Sequence, residues 1–232
     1  MSKLYTPEVG NWGIRKYKLI GYYANIFSKS MKSSWTYRIY LDLYSGAGKA
    51  RDRDSSNILL GSPYQALTVG VPFDKYIFND MDPICIESLK TRVYRDFPNI
   101  ESHYFNYDVN RNIQKIIDPI PNSSSISFCV VDPFKVKNLH FNTIVEISNN
   151  LRSDFLILIP TVMDIGRNEH NYSKEDSVYL DNFLGTVDWR EQWSNQNNKT
   201  GKNFWIFVTN YFISRMNEIG YIHYAHEPVN KP

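Results

Sequence analysis

The chain has 232 residues, 42% hydrophobic and 15% aromatic, enough to bury a core as one globular domain without covalent staples. Two cysteines, Cys85 and Cys129, with no metal-ligand spacing, exclude a disulfide framework and a zinc module, so a reducing cytoplasmic setting is expected. No apolar run approaches the ~18 residues that cross a membrane, no signal-peptide core is seen, and the net charge of +2 hides seven Lys/Arg against one acid in residues 1–40, leaving −4 elsewhere.

Residues 11–30 read as an amphipathic helix with Ile14, Leu19, Tyr22, Tyr23, Ile26 and Phe27 on one broad face. Its Lys16 and Lys18, among Trp12, Tyr17 and Tyr22, are candidates to hold nucleic acid. A helix with a merely solvated basic face fits the same pattern. "YRIYLDLY" (37–44) is a strand rich in β-formers. "GSPYQAL" (61–67) opens a helix, with Ser62 as N-cap, Pro63 at the first helical position and Gln65 closing a capping box. "KYIFND" (75–80) is a second strand, followed by a helix over 83–96, and "SHYFNYD" (102–108) is a third strand. "SISFCVVD" (125–132) is a fourth, apolar throughout and so buried on both faces. A helix over 141–150 precedes a fifth apolar strand, "SDFLILIP" (153–160). Residues 163–201 form a polar insertion, then come a helix over 202–218 and a sixth strand over 221–227. Such alternation predicts a parallel sheet covered by helices.

In an open α/β sheet, ligands sit beyond the carboxyl ends of the strands. Gly46 and Gly48 lie at such an end, where missing side chains let backbone approach a ligand. A dinucleotide fingerprint is not met, because Arg51 stands where a third glycine is needed, and a plain strand-to-helix turn fits the same residues. Asp42, Asp80, Asp108 and Asp132 stand at or near the carboxyl ends of four consecutive strands. An acid there can hold two ribose hydroxyls. Any single one can also be a solvated loop residue or a cap, and Asp82 reads as the cap of the helix starting at Pro83.

Together these segments resemble the class I S-adenosylmethionine-dependent methyltransferases. "LDLYSGAG" is similar to their first motif, with Tyr44 at the first glycine, "FNDMDP" to the second, "NYDVN" to the third and "VDPF" to the fourth. A closer resemblance is to the three-Cys-motif partner family (TcmP), which shows D-L-[FY]-[AS]-G-x-G, G-S-P, acid-x-D-P, a G-D-x-N-like segment and D-P-[FY]. Here these are Asp42 to Gly48, Gly61-Ser62-Pro63, Asp80 to Pro83, Tyr107-Asp108-Val109-Asn110 and Asp132-Pro133-Phe134, with Tyr107 where glycine is usual. The basic-aromatic N-terminal helix and Arg167-Asn168 also look like the family.

The resemblance implies a Rossmann-like sheet in the order 3-2-1-4-5, counted over the expected strands, plus a C-terminal strand. It implies a basic arm over 1–36 before a methyltransferase-like domain over 37–232. It implies S-adenosylmethionine as cofactor, held by Asp42, Tyr44, Gly46, Gly48, Asp80 and Asp108. In that reading Asp80 takes the ribose, Asp108 the adenine amine, the glycines pass under the methionine portion, and Asp42 orders the turn. Asp132-Pro133-Phe134 resembles the D-P-P-[YF] of amino methyltransferases, where an acid and a proline carbonyl accept from an amine and an aromatic ring stacks on a base. This chain has one proline there, and Lys135 follows Phe134. Lys16, Lys18, Arg167 and Asn168 are the candidates for holding the rest of the substrate. The family name implies a three-Cys-motif protein as partner, so a catalytically silent partner subunit is the alternative; a nucleotide-binding enzyme of other chemistry is a third reading.

Other chemistries lack their residues. Cytosine C5 methylation needs a thiolate in a Pro-Cys pair, and Cys129 instead lies within an apolar strand. The five histidines show no zinc spacing, and "SNQNNKTGKN" (194–203) lacks the first glycine of a P-loop.

Overall fold

The computed structural model describes residues 4–10, 12–121, 123–196 and 199–227. The chain divides into two compact units, Met1–Val131 with Asn150–Ile157 and Glu227–Pro232, and Asp132–Asn149 with Leu158–His226.

The first unit is built on a parallel five-stranded sheet flanked by helices. Its elements are β1 (Glu8–Val9), α1 (Trp12–Met31), β2 (Tyr37–Asp42), β3 (Lys49–Asp52), β4 (Ile58–Leu60), α2 (Ser62–Leu67), β5 (Lys75–Asn79), α3 (Pro83–Asp96), β6 (Ser102–Phe105), α4 (Val109–Ile117), β7 (Ser125–Val131) and β8 (Ser153–Ile157). The five strands expected to form the core do so, in the order β6-β5-β2-β7-β8. That count differs from the expected one because β1, β3 and β4, unread in the sequence, form a separate small sheet in the order β1-β3-β4.

Register levels the carboxyl ends. Tyr104, Phe78, Asp42, Val130 and Leu156 pair in one row across the large sheet. Side chains alternate between faces along each strand. Tyr40 is fully buried at the centre of one face, with Phe73, Phe78 and Phe128 rings 5.6–6.1 Å away. α1 covers this face through Phe27, 5.6 Å from Phe128, and burying each such ring is worth about 1.5–3 kcal/mol. Cys129 is wholly buried, its thiol pushed well above its ordinary value by burial, as suits an inert core residue.

Arg38 fixes the entry to β2. Its guanidinium donates to both Asp74 oxygens, at 2.8 and 2.9 Å, and to the Ser28 carbonyl at 3.1 Å. α2 departs from expectation at its start. Gly61 is the N-cap, Ser62 is already helical, and no side-chain cap bond forms. The Gly61 amide is held instead by the Gly48 carbonyl at 2.9 Å. α3 starts as its sequence indicates, with Asp82 accepting from the Ile84 amide at 2.8 Å. α4 was not expected; its buried Val109, Ile113, Ile116 and Ile117 nevertheless recur at helical spacing.

The second unit is helical: a 3-10 turn (Val136–Asn138), α5 (Phe141–Asn150), a π-helix (Thr161–Ile165), α6 (Glu169–Tyr172), α7 (Tyr179–Leu184), α8 (Trp189–Ser194) and α9 (Gly201–Glu218). Phe212 of α9 stacks on Phe183 at 4.8 Å and meets Phe141 edge-on at 5.7 Å. Trp189 and Phe204, their ring centroids 6.2 Å apart, are also fully buried. The stretch read as a polar insertion therefore supplies core residues, among them Leu180, Phe183, Leu184 and Trp189, set in short groups among polar ones.

The expected strand over 221–227 does not form. Those residues have no regular structure, and Ile222 and Tyr224 are exposed. Alternation alone, without a paired neighbour, does not make a strand. No helix among the described residues is long and apolar enough to cross a membrane.

Candidate functional site

The sheet's carboxyl edge in the first unit is drawn together by one side chain, Asn79. It is 1% exposed at the end of β5. Its Nδ2 donates to the Leu43 carbonyl at 3.0 Å and the Tyr107 carbonyl at 3.1 Å, while its Oδ1 accepts from the Tyr107 amide at 3.1 Å. Its backbone carbonyl accepts from the Ser45 amide and hydroxyl, at 2.9 and 3.0 Å. The segments leaving β2, β5 and β6 are thus tied at one point. Nothing in the sequence marks this asparagine apart from its place just before Asp80.

The loop after β2 is folded from within by Asp42. Fully buried, it accepts from the Tyr44 amide at 3.2 Å and the Tyr40 hydroxyl at 3.0 Å. Burial, and then the Asp42 charge, push the Tyr40 hydroxyl well above its ordinary value. Behind the loop, buried Arg92 donates to the Ala47 carbonyl at 2.6 Å and the Tyr5 carbonyl at 2.7 Å. The loop then enters β3, not a helix, so a strand-to-helix turn is excluded.

Its two glycines differ. Both have positive φ, +58° at Gly46 and +77° at Gly48, a region costly for other residues. A Cβ at Gly46 would meet nothing within 4 Å, so the loop is open there. A Cβ at Gly48 would lie 2.6 Å from Leu89 Cδ1 and 3.2 Å from Tyr64 Cε2. Gly48 is thus packed against the unit's own side chains, while Gly46 borders free space.

Asp80 follows β5 and is half-buried. Its Oδ2 accepts from the Gly46 amide at 2.7 Å and its Oδ1 from the Asp82 amide at 2.9 Å. Burial raises its pKa, against the lowering effect of those two bonds. Beside it Met81 and Ile84 are 64% and 60% exposed, an apolar rim unforeseen from sequence. Asp108 caps α4, accepting from the Asn110 amide at 3.0 Å, with Arg111 Nε 3.7 Å from its other oxygen. An open glycine turn, a desolvated carboxylate with spare lone pairs, a second carboxylate and exposed apolar side chains could receive a polyhydroxylated ligand carrying an apolar portion.

Lys16 is not at the surface. It is 5% exposed, with Nζ 4.5 Å from the Trp12 ring centroid and 4.9 Å from that of Tyr17. Lys18 is exposed.

In the second unit, Asp132 follows Val131, Pro133 is buried and Phe134 is 82% exposed, with Lys135 Nζ 5.9 Å from its ring centroid. The turn after them is held by Asp164, which the sequence reading missed. Buried, it accepts from the Val136 amide at 2.8 Å, the Tyr172 hydroxyl at 2.7 Å and Asn168 Nδ2 at 3.2 Å. Asn168 therefore braces the segment after the π-helix, while Arg167 is exposed. π-Helical turns are rare and concentrate at functional sites. Among the described residues, no group of three His, Cys, Asp or Glu could hold a metal ion.

No family model matches the chain, and no curated protein does. Among solved structures, the crystal structure of protein LPL1258 from Legionella pneumophila, of family model DUF519, is similar to it. The match covers 90% of this chain and 74% of that one, at 11% identity and a TM-score of 0.46, a likeness too distant to carry an argument.

Proposed function

We propose that this chain is a class I S-adenosylmethionine-dependent methyltransferase, similar to the three-Cys-motif partner family, acting in the cytoplasm on an amine carried by nucleic acid. The observation that carries the reading is the 2.7 Å bond from the Gly46 amide to Asp80. It brings the open glycine turn of the first motif and the acid of the second together at one sheet edge, where α/β folds bind ligands. The parallel order β6-β5-β2-β7-β8 supports the same reading.

The residues present fit the cofactor. Asp80 would accept from two ribose hydroxyls with the lone pairs its backbone donors leave, and Asp108 would accept from the adenine amine. Tyr44 and Gly46 would border the methionine portion, while Gly48 and Asp42 shape the loop from behind. The cofactor, when bound, supplies an electrophilic methyl group on a sulfonium. The chain's own task is then to orient the acceptor. The Asp132 carboxylate and the Pro133 carbonyl would accept from the amine, and the exposed Phe134 ring offers a stacking surface to a base. Lys18 and Arg167 remain exposed and available to substrate.

Calorimetric titration with S-adenosylmethionine, ATP and NAD in parallel tests the reading. Only the first should bind, and Asp80→Ala should weaken it by about 1.5–3 kcal/mol, the range for hydrogen bonds to a charged group. Wild-type affinity in that variant removes the ribose role. A second reading, a silent partner subunit of a three-Cys-motif protein, is favoured by one observation: both candidate cofactor carboxylates already accept backbone amides. Radiolabel transfer to DNA, RNA and protein separates the two.

A further inference from the structure

The exposed face of α1 carries charge that the fold does not use. Of the basic residues in this region, Arg38 is bound to Asp74, Lys16 is buried, and Arg15 pairs with Glu227 at 2.8 Å. Lys18, Lys29 and Lys32 are exposed, and α1 contains no acid. Arg15, Lys18, Tyr22 and Lys29 recur at three-, four- and seven-residue steps, so they share one face, and Lys32 follows just past the helix end. At 1.5 Å per residue, Arg15 to Lys29 spans about 21 Å. Tyr22, 68% exposed, stands within this row.

We infer that this face binds the phosphate backbone of single-stranded nucleic acid, with Tyr22 stacking on a base. The inference rests on the proposed function for its substrate class and gives that substrate a track. Charge complementarity selects a polyanion, and a ring among lysines is how such chains are gripped without sequence preference. A membrane surface fits less well. The apolar face of α1, through Ile20, Ala24 and Phe27, is buried in the unit, and Tyr22 and Ile26 alone, beyond Trp12 at the start, remain exposed. The Arg15–Glu227 pair lies at the end of the row, both side chains about half exposed, and a phosphate competes with Glu227 for Arg15.

The test is fluorescence anisotropy of labelled single-stranded RNA and DNA, without cofactor, over about 50 to 200 mM salt. The combined variant Lys18→Gln, Lys29→Gln, Lys32→Gln should lower the magnitude of the slope of log affinity against log salt by about 2, at ~0.7 per single-strand contact. Glu227→Gln should raise it by about 0.7, because Arg15 is freed. Tyr22→Ala should weaken binding about tenfold at unchanged slope, with Tyr22→Phe restoring it. Circular dichroism confirms the fold of each exposed-site variant. No wild-type binding at the lowest salt, an unchanged slope in the combined variant, or binding to anionic vesicles in place of oligonucleotides overturns the inference. Failure of S-adenosylmethionine to bind leaves this assay untouched, so the two readings fail separately.

Discussion

Replacing Asn79 by alanine should loosen the candidate site without removing any group proposed to touch a ligand. The substitution leaves three backbone groups without their partner: the Leu43 carbonyl and both the carbonyl and amide of Tyr107. A buried polar group without a partner costs about 1–3 kcal/mol. Tyr107 is half-buried, so water can reach part of its backbone, and the low end applies. The expected loss is about 3 kcal/mol, a large share of the 5–15 kcal/mol typical of a domain. Urea unfolding followed by circular dichroism measures it, and an unchanged m-value shows that the denatured state is not altered. Asn79→Asp is the sharper control. It can keep the bond from the Tyr107 amide, but it sets an anionic oxygen about 3 Å from two carbonyls. It should be destabilised at neutral pH and recover in part as that carboxylate protonates. A loss below about 1 kcal/mol for Asn79→Ala would show that the three strand ends are held by other means.

The two loop glycines should separate. Gly48→Ala should cost about 2–3 kcal/mol of stability, from positive φ and the Leu89 and Tyr64 contacts, and Gly46→Ala only about 1 kcal/mol, while on the proposed function Gly46→Ala should be the one that weakens cofactor binding directly. Equal stability losses in thermal melts refute the difference. Asp80 has a raised folded pKa, so its contribution to stability is complete below its ordinary 3.8 and is lost as pH rises through the folded value. The stability of the wild type relative to Asp80→Asn should therefore fall as pH rises from 3.8, and a flat or rising difference contradicts the desolvation argument. Asp132→Ala should abolish methyl transfer and leave cofactor affinity within a few tenths of a kcal/mol, measured by radiolabel transfer and calorimetry. If cofactor binds and the wild type transfers nothing to DNA, RNA or protein with or without a partner, the silent-subunit reading takes its place.

By itself the sequence determined the five core strands, because short runs rich in β-branched and aromatic residues alternate with helix signals along the chain. It also determined the start of α3, where Asp82 and Pro83 are a local cap that needs no distant partner. The acids of the candidate site were legible as strand-end residues, but their environments were not. Asp80 braces Gly46 across thirty-four residues, Asp42 turns inward onto the Tyr40 hydroxyl in a wholly buried setting, and Asp108 caps α4, a helix not foreseen from the sequence. Tertiary structure alone decided that Gly48 packs while Gly46 stays open, since both carry the same φ preference and differ only in what stands opposite. It alone buried Lys16 under two rings and gave Asn79 and Asp164 their partners. Residues 221–227 show the limit from the other side. Alternating apolar residues make a strand only when they pair with another strand, and pairing is a property of the whole fold, not of the segment.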